Sequence, residues 1–120
     1  MEEFETLDDV FVYAKQKLKN DTMNILIFNS FMQKIVRVVS IIMHDHHTIL
    51  EVFKLALLLN ILSRKAYNFG LEVDKINNLI EIISNYSIDE RNGNKSIIFL
   101  LSEVDRMKED ELLEHFNIIV

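Results

Sequence analysis

The chain of 120 residues contains no cysteine, no proline and no tryptophan, and it has only two glycines. Without cysteine it has no disulfide framework, no thiolate metal site and no cysteine nucleophile. Gly70 and Gly93 stand alone, which excludes a glycine-rich phosphate loop. Because proline and glycine mark loops and turns, their scarcity predicts helices that are joined by polar connections.

Positive charge is also in short supply, since 13 Lys and Arg residues stand against 19 Asp and Glu residues. The resulting net charge is −6. A protein whose main ligand is nucleic acid needs a basic face that pairs with phosphates. Lysines cluster in residues 15–19, but acidic residues lie just before them. We therefore expect that nucleic acid is not the main ligand.

The N-terminal segment also lacks an apolar run. Residues 1–5 are mostly acidic, which differs from the basic and apolar pattern of a signal peptide. Together with the absence of cysteine, this pattern favours a cytoplasmic protein.

Apolar side chains, in contrast, make up 49% of the residues. A chain of this length and composition can build one hydrophobic core. There is no internal repeat, low-complexity tract or linker, so residues 1–120 are predicted to form a single domain.

The apolar residues recur at three- and four-residue spacing, which predicts amphipathic helices. Thr6 with Asp9 resembles a capping arrangement, and Thr48 with Glu51 forms a capping box, so each pair is expected to begin a helix. The predicted helices over this part of the chain cover residues 7–19, 23–43, 49–65 and 74–84.

The second and third of these helices are apolar over most of their circumference. In residues 23–43 the polar side chains form one narrow stripe, made of Ser30, Gln33, Lys34, Arg37 and Ser40. Such a helix lies either in a core or in a membrane, and this one is long enough to span a bilayer. Two charges near its middle would each cost about 3 kcal/mol in lipid. We therefore predict no membrane span and a central antiparallel pair formed by 23–43 and 49–65.

Residues 85–101 admit two predictions. Asn92-Gly93 favours a tight turn between strands, so a small β-hairpin around 86–101 is one alternative. The other, which we favour, is a helix that is capped by Asn94 or Ser96 and continues to Lys108.

The C-terminal part is helical under both alternatives. Residues 102–115 keep the helical spacing, with a bend expected at 108–110. The whole chain is thus predicted to be mainly α, a compact bundle of five to six helices.

Three of the four histidines lie in the short segment "HDHH", residues 44–47. Zinc needs three or four converging ligands. His44 and His47 are three residues apart and could share a helical face, with a further ligand such as His115 from elsewhere. The spacing matches no recognised zinc motif. A polar connection between two helices is the stronger interpretation, because loops lie at the surface and histidine is favoured near a helix C-terminus.

We accordingly predict no bound metal, with His44 and His47 as the candidate ligands if one binds. The serines have no base that is fixed nearby by spacing, and the acidic pairs lie on polar faces. No catalytic or cofactor-binding residues are predicted, and the chain is expected not to be an enzyme.

The apolar content exceeds what a free monomer of this size easily covers. Two helices are apolar nearly all round, and the chain stays apolar to its last residue. Exposed apolar patches usually bind a partner. We expect a protein partner or a homo-oligomer, with a contact surface at Leu113, Phe116, Ile118 and Ile119.

Three segments within residues 25–83 also carry a family resemblance. They are "IFNSFMQKIVRVVSII", "EVFKLALLLNILSRK" and "LEVDKINNLIEII". This pattern of apolar helices resembles the middle components of bacterial ABC three-component anti-phage systems. The resemblance implies a small helical subunit that bridges an SMC-like ATPase and an effector, without catalysis in this chain. It assigns no site residues.

Two other classes stay open. An apolar helix surrounded by amphipathic ones would suit a viral Bcl-2-like decoy, although no BH-type signature is present. A metal-binding sensor would instead use the histidines of residues 44–47.

Overall fold

In the computed structural model, the described residues are 4–19, 24–42, 48–83 and 100–120, with the backbone alone for 84 and 93–99. Within these ranges the chain forms α-helices and no strand. The helices are α1 (Leu7–Leu18), α2 (Ile25–Ile42), α3 (Ile49–Asn68), α4 (Asp74–Ser84), α5 (Gly93–Arg106) and α6 (Glu109–Ile119). The prediction of a mainly α, compact bundle is confirmed.

Two capping boxes begin α1 and α3, as predicted. The Thr6 hydroxyl accepts a hydrogen bond from the N–H of Asp9 at 3.3 Å, and the Asp9 carboxylate accepts one from the N–H of Thr6 at 3.2 Å. Thr48 and Glu51 make the same reciprocal pair at 3.1 Å in each direction. Each box satisfies N–H groups that a helix N-terminus leaves without a partner.

Helix α3 ends later than the sequence predicts, at Asn68 instead of residue 65. Gly70 has a φ of 74°, and the N–H groups of Gly70 and Leu71 donate to the carbonyls of Tyr67 and Ala66. This pair of hydrogen bonds is a Schellman motif, in which the residue after the C-cap takes a left-handed conformation that favours glycine. The helix therefore continues until the chain reaches a residue that can close it.

The centre of the bundle is α3 alone. It contacts every other helix, and the whole stretch from Leu55 to Leu62 is buried. The prediction that residues 23–43 share this central position is wrong, because α2 contacts α3 only slightly and buries five of its 18 residues. The predicted histidine turn between the two helices, residues 44–47, lies outside the described part of the chain.

The region of the hairpin alternative is helical where the structure describes it. Residues 96–101 belong to α5, which confirms the favoured helix; residues 86–92 lie outside the described part. Helix α5 begins at Gly93, before the expected caps, and ends at Arg106, two residues before the expected end at Lys108.

A break follows at Met107 and Lys108, at the edge of the segment where the sequence predicts a bend. The break is held by Arg64 of α3, whose guanidinium donates to the carbonyl oxygen of Asp105 at 3.1 Å and to that of Met107. These carbonyls are among those that a helix C-terminus leaves unpaired. Arg64 thus fixes the junction of α5 and α6 against the central helix.

Candidate partner-binding surface

Helix α2 presents a largely uncovered apolar surface. Its buried side chains follow one stripe at three- and four-residue spacing, which is Phe28, Phe31, Met32, Ile35 and Val39. Other apolar residues of the same helix face solvent, with 77% of Leu26 and 67% of Ile41 exposed. Ile25 and Ile27, which precede and follow Leu26 in the sequence, are also exposed. We call these four exposed residues the α2 apolar patch.

The polar stripe of α2 lines a groove between this helix and the start of α4. All five of its side chains, from Ser30 to Ser40, face the groove, whose volume is about 890 Å³. The opposite wall and floor come from Leu71, Glu72, Lys75 and Ile76. The groove therefore combines polar and apolar side chains along one side of the bundle.

The charged side chains of this groove are mainly basic. Among the described residues that line it, three are cations, Lys34, Arg37 and Lys75, and one is a carboxylate, Glu72. The charge of these lining residues is therefore positive, although the chain as a whole has a net charge of −6. We therefore call it the basic groove.

The cations of the groove differ in how they are held. The Lys34 ammonium lies 4.9 Å from the ring centre of Tyr13 and 5.2 Å from that of Phe4, which is cation–π distance. Arg37 and Lys75 make no hydrogen bond or ion pair with the part of the chain that the structure describes. These two cations are available to an anionic partner.

The C-terminal residues that the sequence proposes as a contact surface have different environments. Phe116 is fully buried and meets Phe11 edge to face, with 6.4 Å between the ring centres. Leu113 and Ile119 are partly buried against the core. Ile118 is 73% exposed and is the most accessible of the four. The burial of Phe116 assigns this side chain to the core of the folded chain.

The histidine cluster, residues 44–47, lies outside the described ranges. His115, the further ligand considered with them, is on the exposed side of α6. Among the residues that the structure describes, no three His, Asp or Glu side chains are grouped closely enough to hold a metal ion. Metal binding by His44 and His47 stays a sequence prediction.

A second, smaller cavity of about 340 Å³ lies where α3 meets α6, lined by Ser63, Arg64, Tyr67, Asn68, Val73 and Glu109. Its two charged residues already have partners. Arg64 holds the end of α5, and the Glu109 carboxylate lies 3.6 Å from the Lys65 ammonium. These contacts join α3 to the α5–α6 junction and give the cavity a structural role.

Sequence reasoning found the polar stripe of α2 but not the groove. The signal was the helical spacing of five polar residues on an otherwise apolar helix. Lys75 lies more than 30 positions away in the chain, and only the packing of α4 beside α2 brings it to the stripe.

Within the described ranges, α2 is the one helix long and apolar enough to cross a membrane. Length and composition alone are weak evidence for a span, because the core helix of a soluble protein meets the same criteria.

Comparison of the chain with protein-family models, with curated proteins and with solved structures finds no match.

Proposed function

We propose that this protein is a non-enzymatic helical interaction subunit, which self-associates or bridges larger protein partners in the cytoplasm. The observation that carries the proposal is the α2 apolar patch next to the basic groove. The most apolar helix of the bundle leaves Leu26 and Ile41, near its two ends, largely in solvent.

Burial of this patch by a partner would be favourable. Removing a leucine or isoleucine side chain from water contributes about 1.5–3 kcal/mol. The polar stripe beside the patch supplies hydrogen-bonding and charged groups, and an apolar patch with polar neighbours is typical of protein interfaces. Lys34 and Arg37 lie on the same helix, so a soluble partner accommodates them better than lipid does.

The resemblance of residues 25–83 to middle components of ABC three-component anti-phage systems supplies a context for the proposal. In that context the chain would connect an SMC-like ATPase to an effector in a phage-defence or mobile-element complex. Helices α2 and α3 contain the first two segments that carry the resemblance, and the third segment, residues 71–83, begins three residues before α4. No cofactor is required for such a role.

A second candidate is a helical decoy of the Bcl-2-like kind. It is favoured by a buried central helix, α3, that contacts all other helices, and by an open groove between α2 and the start of α4. A decoy would be a stable monomer or dimer that binds single amphipathic helices. A bridging subunit would instead co-purify with two larger proteins.

The test is native mass spectrometry of the untagged chain, expressed alone and together with the genes that neighbour its own. We expect a homo-oligomer or a hetero-complex. A chain that is monomeric in both settings would contradict the proposal. The same spectra report any bound metal, and loss of that metal in His44→Ala with His47→Ala would instead support the sensor alternative.

A matched pair of variants locates the contact. Leu26 and Tyr67 are both 77% exposed, but only Leu26 belongs to the α2 apolar patch. We expect Leu26→Ser to weaken the complex about tenfold or more, since this loss corresponds to about 1.4 kcal/mol of buried apolar surface. Tyr67→Ser should leave the complex unchanged. Equal effects of the two variants would remove the patch from the interface.

A further inference from the structure

We propose that the basic groove binds the exposed acidic side of α6 from a second copy of this chain, so that copies associate head to tail. The inference rests on the proposed interaction function and specifies one partner for it. It also assigns the acidic residues of α6 and the exposed Ile118 to one contact.

The surface that would enter the groove of the other copy is the exposed side of α6. Asp110, Glu114 and Ile118 recur at four-residue spacing, so they lie in one row along the helix. Glu111 lies beside this row, and all four side chains are exposed. We call these four residues the acidic face. Its three carboxylates make no ion pair or hydrogen bond with any residue in the described ranges.

Charge complementarity connects the two surfaces. Arg37 and Lys75 are the available cations of the groove, and the acidic face supplies three available carboxylates. Two copies with a net charge of −6 each repel one another in most orientations. An orientation that brings the groove of one copy to the acidic face of the next adds local attraction between opposite charges, which favours the head-to-tail arrangement over the others.

The lengths of the two surfaces match. The α2 wall of the groove extends from Asn29 to Ile41, a rise of about 18 Å along the helix. Helix α6 has 11 residues, which is about 16 Å. Ile118 can then contact apolar lining of the groove such as Val36 and Leu71, both of which are partly exposed.

A groove cannot receive the α6 of its own chain. Leu112 and Phe116 anchor that helix in the core, and α6 packs most extensively against α3. The contact must therefore be made between copies. Because it joins two different surfaces, it leaves one groove and one acidic face unused in a pair, and further copies can add to form a ring or an open chain.

Charge reversal tests the arrangement by sedimentation velocity over a wide range of protein concentration. We expect the wild-type chain to self-associate. Arg37→Glu with Lys75→Glu, and separately Glu111→Lys with Glu114→Lys, should each weaken self-association about tenfold or more. The control for the groove reversal is Lys17→Glu with Lys19→Glu, which makes the same change in net charge at two exposed lysines outside both the groove and α6.

The two reversed variants should restore association when they are mixed, because each then meets the opposite charge. A single chain that carries all four reversals should also regain self-association. This restoration separates a lost contact from a lost fold, and circular dichroism of every variant verifies the helices independently.

Three results would overturn the inference. They are a wild-type chain that is monomeric at all concentrations, a groove reversal with no more effect than the control, and a mixture that does not associate. Each leaves the proposed function standing if native mass spectrometry finds another complex. A wild-type monomer without any partner in its own genetic context would overturn both proposals.

Discussion

Helix α2 is more apolar than helix α3, yet α3 buries ten of its 20 residues whereas α2 buries five of its 18. The difference follows from the number of neighbours. Helix α3 has other helices on all sides, while α2 rests on the bundle along one stripe. Apolar composition thus makes a helix suited to burial, but the position in the bundle determines whether the burial happens within one chain.

The largest expected difference in stability is between leucine substitutions in α3 and in α2. Leu58 of α3 is fully buried and Leu26 of α2 is 77% exposed. We expect Leu58→Ala to lower the free energy of unfolding by about 2–5 kcal/mol, because it removes buried surface and leaves a cavity. Leu26→Ala should change it by about 0.5 kcal/mol or less. Urea denaturation measures both, and similar losses would show that α2 is covered in solution.

Arginines on the two helices provide a second comparison. Arg64 of α3 donates to the carbonyls of Asp105 and Met107, whereas Arg37 of α2 has no such bonds to the described residues. Arg64→Met should cost about 1.5–3 kcal/mol of stability, since hydrogen bonds from a charged donor are lost. Arg37→Met should be near neutral in the same denaturation experiment. An Arg64→Met variant as stable as wild type would show that the α5–α6 junction is held by packing alone.

The caps of the two helices should differ by a smaller amount. Thr48 and Glu51 cap α3 reciprocally, while Asn24 accepts a single hydrogen bond from the N–H of Ile27 at 2.9 Å at the start of α2. We expect Thr48→Ala to cost about 1 kcal/mol, because α3 cannot fray without disturbing the core. Asn24→Ala should cost less, since the first residues of α2 are exposed. Hydrogen exchange at the first residues of α2 and α3 measures fraying of each helix. Urea denaturation measures the loss of overall stability.

The smallest effect concerns the cap of α1, the helix that packs on both α2 and α3. Hydrogen bonds from the N–H groups of Glu5 and Thr6 lower the pKa of Asp9 below its ordinary value. Because the folded pKa lies below the unfolded one, the stabilisation is full above the unfolded pKa and is lost as the pH falls through the folded pKa.

An acid titration of stability by urea denaturation tests this sign. We expect a small decline below the ordinary Asp pKa of about 3.9, and a shallower decline in Asp9→Asn, which cannot ionise. Parallel acid declines in wild type and Asp9→Asn would show that this carboxylate does not contribute.

Much of the fold was predictable from local patterns. The capping pairs at Thr6 and Thr48 are formed as predicted, and the segment 96–101 is helical as favoured. The end of α3 was missed by three residues because a Schellman motif depends on the backbone conformation of Gly70, which spacing does not reveal.

Less of the candidate site was predictable. The sequence shows the polar stripe, but it does not show that Arg37 and Lys75 line the same groove. The C-terminal apolar residues were visible as a group, yet burial divides them, with Phe116 in the core and Ile118 in solvent. Apolar residues that are close in sequence differ in burial because successive side chains of a helix point in different directions.

The sequence by itself determined the helices, their caps and the excess of apolar surface, because these depend on hydrogen bonds and spacing within a few residues. Only the tertiary structure decided that α3 occupies the centre and that α2 lies at one side with a basic groove along it. Those features depend on which helices pack together across the whole chain, and the more apolar of the two helices is not the one that occupies the centre. The helix that does not occupy that position, α2, keeps the surface on which the proposed function rests.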